Sequence, residues 1–374
     1  MPHILDRIAA HSRALASVLH TGAAKRHSAN PSAALQLDKI YGSGVLFSGT
    51  ASLVLNKKEI DALSRHYRHT ICRLQKLPLN TPECVVFFLG GSLPATAILH
   101  LRILSLFGMI CRSNPSSILQ QIGRRVFLSK NYNKKSWFIQ IRSVTQLYLL
   151  PDPLLLLQTP LSKAEWKKLC KSSVVSYWEE KLRADSSNLP SLRYFSPHFL
   201  SLQEPHPLWT YAEKVYEVQK AIVVANMISG RYFSDYHVRH WSRTNPNGYC
   251  QLCLASQHSS DSPPDDEVTP LGTLGHLLLE CEYLTKTRDK CSQVWLKYMS
   301  DNPIIRNIIP TMNGYVQPTM QFLLDTTACP NVISAVQSHG RGILCHLLYL
   351  CRLWCYSLHL RRKKSLKLFN INIL

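Results

Sequence analysis

Cys250-Gln251-Leu252-Cys253 is followed, after 22 intervening residues, by His276-Leu277-Leu278-Leu279-Glu280-Cys281. Written as spacing, this is C-x2-C and then H-x4-C. Two thiolates on a tight turn can grip one side of a Zn2+ ion, and a His and a third Cys supply the other corners of a closed tetrahedron. Asn247-Gly248, just ahead of Cys250, is a turn dipeptide of the kind a zinc-knuckle hairpin uses. Thr273 is suited to cap a short helix carrying His276. The step from His276 to Cys281 is too long for one face of a regular helix. Cys281 is therefore expected just past the helix end, folding back toward the metal. With all four positions filled by protein, no site stays open for water, so the centre reads as structural rather than catalytic.

The plain alternative is a chance pair of cysteines beside a core histidine. C-x2-C alone leaves that reading open, and the downstream H-x4-C favours a zinc site with ligands Cys250, Cys253, His276 and Cys281. His258 lies four residues after Cys253, as in a shorter knuckle, but position 263 is Pro, so that knuckle cannot close. A thioredoxin-like redox pair needs a strand–helix setting that the surrounding pattern does not offer.

The chain has 374 residues, enough for two or three domains with a real core. Its 45% hydrophobic and 18% charged residues are a globular composition. Lys and Arg outnumber Asp and Glu 43 to 23, and residues 1–150 alone hold 19 basic and 5 acidic side chains. Such a surplus opposes self-association and attracts polyanions, nucleic acid first and anionic membrane second. The N-terminus shows no secretory pattern. Cys72, Cys84, Cys111 and Cys170 stand singly in apolar stretches, as buried free thiols do. A reducing, intracellular compartment (nucleus or a cytoplasmic ribonucleoprotein) is therefore expected rather than secretion.

The hydrophobic periodicity is helical almost throughout, which predicts a mainly α fold. Ile4, Ile8, Leu15, Val18 and Leu19 predict an amphipathic opening helix. Ser32 is a candidate cap for a short helix ending near Tyr41-Gly42. Asn56 is a cap for a longer one with Ile60, Leu63, Tyr67, Ile71 and Leu74 inward and Lys57, Lys58, Arg65, Arg68 and Arg73 on much of its other side. Pro94 begins another, and two more basic helices follow around 115–130 and 134–149. Ser162 opens a helix to about Ala184. The prolines between 186 and 209 predict extended connection, and a helix at 211–229 leads into the cysteine-bearing segment. Ile343 to Leu360 is nearly long and apolar enough to span a bilayer. Arg352 in its middle would be costly in lipid, so it is read as an amphipathic helix packed on the protein, with no membrane partner. The division expected is 1–150 basic and helical, 151–229 connection, 230–284 zinc module and 285–374 C-terminal helical region. Near the module, Arg231 and Arg239 mix with Tyr232, Tyr236 and Trp241. That mixture suits phosphate contact and base stacking, and equally a small module's core.

At these residues a resemblance enters. Met227-Ile228-Ser229-Gly230-Arg231-Tyr232, the C-x2-C pair and Gly275-His276-Leu277-Leu278-Leu279-Glu280-Cys281 resemble the C-terminal zinc knuckle of non-LTR (LINE, jockey-like) retrotransposon reverse transcriptases. Upstream, Ile8-Ala9-Ala10 with Asn30-Pro31, Ile40-Tyr41-Gly42 and Gln75-Lys76-Leu77-Pro78-Leu79-Asn80-Thr81 resemble that family's thumb-side region. So do Leu93-Pro94 to His100-Leu101-Arg102 and Leu106-Phe107-Gly108. The match runs in order over about residues 1–290. It implies a thumb-like helical bundle, a helical connection, the knuckle and a C-terminal helix. Thumb helices of such enzymes grip a template–primer duplex through its phosphates, which implies that role for Lys57, Lys58, Arg65, Arg68, Arg124, Arg125, Lys134 and Lys135, with Arg231 and Arg239 beside the knuckle.

The departures matter as much. The family's palm carries two adjacent metal-binding aspartates in a strand. Here the only Asp-Asp is Asp265-Asp266, in a Pro-rich loop, and endonuclease and RNase H carboxylates have no counterpart. Mg2+ chemistry would belong to a palm that this sequence lacks. The expectation is a non-catalytic, nucleic-acid-binding C-terminal portion of an RNA-directed DNA polymerase, holding RNA or DNA with a palm-containing portion as possible partner. The alternatives are a captured host protein serving as a helical interaction scaffold, or a decayed reading frame.

Overall fold

The computed structural model describes residues 2–20, 30–128, 136–240, 242–243, 245–257, 269–309, 311–312 and 315–368. The protein is mainly α, and among the described residues the only paired strands are the two-residue ribbon Thr311–Met312 and Tyr315–Val316. It divides into two compact units, one of Met1–Gln75, Val86–Asp185 and Ser201–Pro205, the other of Lys76–Val85, Ser186–Leu200 and His206–Leu374. The longest stretch of the first unit ends at residue 185.

The reason lies in the helix Lys163–Ser187. Ser162 and Glu165 close a reciprocal cap at its start, Glu165 N donating to Ser162 Oγ (3.3 Å) and Ser162 N to Glu165 Oε2 (3.1 Å). Trp166, Cys170, Val174, Trp178 and Leu182 then recur every fourth residue, and all are buried. Trp166 Nε1 donates to Leu104 O at 2.8 Å, inside the helix Ala95–Cys111. A Cβ on Gly108 would stand 2.2 Å from the Trp166 ring, so that close approach requires glycine. Trp178 Nε1 donates to the Tyr148 hydroxyl (3.0 Å), which also meets His100 Nδ1 (2.7 Å). The helix that opens the "connection" is thus core of the first unit.

Elsewhere in that unit Asn56 caps Lys57–Leu74 in a full capping box with Glu59, as its sequence predicts. The short second helix is Pro31–Leu37, and its cap is Asn30, whose Oδ1 accepts from Ser32 N at 2.8 Å, not Ser32. Pro31 takes the first helical position, where a missing N–H does no harm. A π turn, Asp38–Gly42, continues it. The helices expected near 115–130 and 134–149 run Ile118–Leu128 and Trp137–Leu147.

In the second unit the C-terminal helix Gly342–Leu368 packs on Val215–Ile228 and Thr285–Asp301. It buries Leu347, Leu350, Cys351, Trp354, Cys355 and Leu358 around Trp295 and Phe322. Among the described residues it alone is, by itself, long and apolar enough to cross a membrane. Its mid-helix charge is fully enclosed. Arg352 donates to Tyr211 O (3.1 Å) and Leu208 O (3.4 Å) and pairs with Glu217 at 3.5 Å. Two carbonyls and a carboxylate thus surround the guanidinium, although its Nε keeps no partner, and the helix is a core element of its unit.

Candidate metal centre

Local backbone chemistry builds the cysteine turn. Asn245 Nδ2 donates to Tyr249 O (2.7 Å) and Tyr249 N donates back to Asn245 Oδ1 (3.0 Å), closing a loop around Gly248. Gly248 has φ +70°, and a Cβ there would come within 2.9 Å of Tyr236 Cα, so the turn needs glycine twice over. Cys250 N donates to Pro270 O and Gly272 N to Gly248 O, which zips the turn to the strand-like segment before Thr273. Cys250 immediately precedes the helix Gln251–Gln257, and Cys253 lies in its first turn.

The other pair is set by a cap and a π turn. His276 N donates to Thr273 Oγ1 at 3.1 Å, as expected of Thr273. His276–Glu280 is a π turn closed by Cys281 N to His276 O, 2.6 Å. A π turn holds more residues per turn than an α-helix. The five-residue step that defeats a regular helix therefore brings His276 and Cys281 into register, with Cys281 leaving the helix at φ −52°, ψ 113°.

All four ligand atoms lie within 4.8 Å of one another, and all four residues are buried. Cys253 Sγ is 3.7 Å from Cys281 Sγ and 3.4 Å from His276 Nε2, and Cys250 Sγ is 3.9 Å from Cys281 Sγ. A tetrahedral zinc with bonds of about 2.3 Å to sulfur and about 2.0 Å to nitrogen sets sulfurs about 3.8 Å apart and a sulfur and nitrogen about 3.5 Å apart. The three separations given above are already of that size. His276 turns Nε2 inward and Nδ1 outward, 3.8 Å from the exposed Glu280 carboxylate, the orientation a metal-bound imidazole takes. Hydrogen bonds from Cys253 and Cys281 hold the Cys250 thiol far below its ordinary value. The same sharing, with burial, pushes Cys253 up. Burial alone would lower His276, but hydrogen bonds to Cys250 and Cys281 raise it to about 10. Metal-free, the cluster retains protons that a divalent cation would expel. It can hold a metal such as zinc.

The remaining residues singled out in the sequence are more dispersed. Lys57, Lys58, Arg65 and Arg125 are exposed, and Arg68 is half-buried. Arg124 turns inward, its Nη2 donating to Gln120 Oε1 (3.3 Å) and Leu157 O (3.4 Å), so it fastens helices together rather than facing a ligand. Lys134 and Lys135 lie outside the described residues, as do Trp241, His258 and Asp265-Asp266. Arg239 stacks 3.7 Å from the Tyr236 ring centroid and donates to Tyr236 O. Tyr232 is core, its hydroxyl meeting His359 Nδ1 at 3.0 Å.

Sequence periodicity missed two polar clusters. In the first unit, buried His11 joins Asp38 Oδ1 through Nε2 and His66 Nε2 through Nδ1, both at 2.8 Å. Burial, then His11 and Arg73, push His66 down to about 4. A Cβ on Gly42 would strike Asp38 Oδ1 at 2.3 Å, which is the one trace of the cluster in the sequence. In the second unit, Arg362 donates to Asp235 Oδ1 (2.9 Å) and Phe233 O (3.0 Å), while Gln251 N, next to Cys250, donates to Asp235 Oδ2 (3.3 Å). Trp354 Nε1 donates to Leu278 O, between His276 and Cys281. The C-terminal helix thus buttresses both halves of the cysteine–histidine cluster. No family model, curated protein or solved structure matches the chain.

Proposed function

We propose that this chain is a nucleic-acid-binding, non-catalytic portion of a non-LTR retrotransposon reverse transcriptase, with Zn2+ at the Cys250/Cys253/His276/Cys281 cluster as a structural fastener. Three thiolates and an imidazole at tetrahedral spacing suit zinc over the hard cations, which prefer oxygen. The observation that carries the binding role is the crowding of positive charge on the helix Lys57–Leu74. His69 is held below its ordinary value by burial and then by Arg68, Arg73 and Arg65. Three guanidiniums near one imidazole are a concentration of cations that suits an array of phosphates. Lys57 and Lys58 prolong the cationic face toward the helix start. Mg2+ and the polymerase aspartates belong to a palm-containing portion, which is the partner this reading implies.

Binding to single-stranded RNA and to an RNA–DNA hybrid, measured between about 50 and 200 mM salt, tests it. The expected outcome is steep salt dependence with little sequence preference. In the K57A/K58A/R65A/R68A variant the slope of log K against log salt should shrink by about 3–4 if each cation meets a phosphate. The purified chain should extend no primer. A chain that ignores both nucleic acids at low salt belongs instead to the interaction-scaffold class.

A further inference from the structure

The helix Ile118–Leu128 faces the wrong way for its composition. Its inner face is Gln120, Gly123 and Phe127, at three- and four-residue steps, and all three are buried. Gln120 Nε2 donates to Cys111 O (2.9 Å) and Ser113 O (3.2 Å), and a Cβ on Gly123 would stand 2.9 Å from the Phe138 ring. Polar bonds and a close approach thus fix the rotation of the helix, and that rotation turns its aliphatic side chains outward. Ile118, Leu119, Ile122 and Leu128 are 74%, 53%, 42% and 68% exposed. Ile118 and Ile122 stand in line with the exposed Arg125, at i, i+4 and i+7, and Leu119 flanks Ile122. A helix that buries a glutamine and shows its isoleucines to water marks a surface with an apolar partner.

The charge around this face says what kind. Between Glu83 and Asp152 the sequence has eight basic residues and no acidic one. The helices packed on Ile118–Leu128, which are Ala95–Cys111, Trp137–Leu147 and Pro153–Gln158, accordingly carry no carboxylate. Asp152 is spent as a cap, its Oδ1 accepting from Leu154 N at 2.8 Å. Arg102, Arg124 and Arg142 donate to the carbonyls of Phe47, Leu157 and Phe127, whereas Arg112 and Arg125 are exposed. An anionic partner is therefore favoured. A second copy of this chain carries the same +20 and is repelled. A nucleic acid gains little from aliphatic side chains, which offer its bases no ring to stack on. A protein partner would need a pocket cut to four projecting aliphatics, and the anchors of such interfaces are mostly aromatic or arginine. A bilayer admits projecting aliphatics without a matching cavity.

We propose that the outer face of Ile118–Leu128 docks peripherally on an anionic lipid surface. Ile118, Leu119, Ile122 and Leu128 enter the boundary between headgroups and acyl chains, while Arg112 and Arg125 meet the headgroup phosphates. Eleven residues span about 16 Å, well short of a bilayer core of about 30 Å, so the helix lies on the membrane and does not cross it. The contact uses no residue of Lys57–Leu74 and does not depend on the nucleic-acid reading.

The test sediments the full chain, free of nucleic acid, with phosphatidylcholine vesicles that contain or lack phosphatidylserine, at about 0.15 M salt. Wild type should bind only the vesicles with phosphatidylserine. I118Q/L119Q/I122Q introduces good helix formers, so its far-UV circular dichroism should be unchanged, and its partition coefficient should fall on the order of a hundredfold. K57A/K58A/R65A/R68A removes more charge from another helix and should lose far less. A wild-type chain that ignores the anionic vesicles overturns the proposal. So does a triple variant that binds like wild type, or a four-cation variant that loses as much as the triple one, because net charge alone would then account for binding. Should the triple variant fold poorly, I118Q decides. It changes the most exposed of the four and should weaken binding severalfold, and binding equal to wild type overturns the proposal. An amphipathic peptide of Glu and Leu that binds wild type but not the triple variant, where anionic vesicles are ignored, makes the face a protein site and likewise overturns it. Failure to bind RNA or DNA leaves these measurements untouched.

Discussion

Replacing Arg362 by Met removes its bonds to Phe233 O at 3.0 Å and to Asp235 Oδ1 at 2.9 Å, with its contact to the Tyr232 ring, and preserves most of the apolar stem. Asp235 is 4% exposed, so its carboxylate is left in the interior with the Gln251 amide as its remaining charge-assisted contact. Breaking one side of a buried pair costs about 3–5 kcal/mol, because the orphaned charge has lost its solvation as well as its partner. That is a large fraction of the 5–15 kcal/mol typical of folded domains. The loss should be visible in urea unfolding of the zinc-loaded chain as a lower midpoint at unchanged slope. Because Asp235 also holds the amide next to Cys250, part of the loss should emerge as weaker metal binding, about tenfold for each 1.4 kcal/mol that couples. Asp235→Asn added to R362M neutralises the stranded charge and should recover about half of the loss, a coupling that a double-mutant cycle isolates. A single-variant loss under about 1 kcal/mol, with metal affinity unchanged, would refute the claim that the C-terminal helix braces the cysteine turn.

Two further outcomes are expected. His206 is enclosed in the second unit with Nδ1 accepting from Leu208 N at 3.0 Å, and burial pushes it down to about 3. The folded chain therefore keeps it neutral where the unfolded chain protonates it. Stability complete above pH 6.5 is lost as pH falls toward 3, by about 1.4 kcal/mol per pH unit for this group. H206N retains a cap acceptor and should flatten the stability–pH curve between those limits, whereas a superimposable curve would contradict the burial argument. In the first unit, Gly91 has φ +55° and a Cβ there would lie 2.0 Å from the Glu204 carbonyl carbon, so G91A should cost at least about 3 kcal/mol in chemical denaturation. Gly44, with nothing within 4 Å of its Cβ position, is the control. G44A should be neutral or stabilising by about 0.5–1 kcal/mol.

Much of the helical skeleton is written in short-range chemistry. Asn56 with Glu59, Ser162 with Glu165, and Thr273 ahead of His276 are contacts across three residues, and each forms as its spacing requires. Where two capping residues compete, as Asn30 and Ser32 do, the proline at position 31 decides, because it favours the first helical position and so leaves the cap to Asn30. The ligand spacing C-x2-C and H-x4-C likewise designates Cys250, Cys253, His276 and Cys281, which the fold brings together across 31 residues.

The basic residues show where such reading stops. In a helical pattern, Arg65, Arg124, Arg352 and Arg362 look alike: polar positions with a long charged side chain. Arg65 is exposed, whereas Arg124 reaches a carbonyl 33 residues away and Arg352 one 144 residues away. Arg362 pairs with a carboxylate 127 residues away. Arginine can lie along an apolar surface and still present five donors, so its fate depends on which acceptors the distant chain delivers, and periodicity carries no record of that. Most of the helices, the caps at Asn56, Ser162 and Thr273 and the membership of the cysteine–histidine cluster are legible in the order of residues, because those depend on side chains a few positions apart. The brace formed by the C-terminal helix and the enclosure of Arg352 belong to the folded arrangement, because each depends on which buried polar groups find partners far away in sequence, and the π turn that aligns His276 with Cys281 is a local geometry that an α-helical period does not describe.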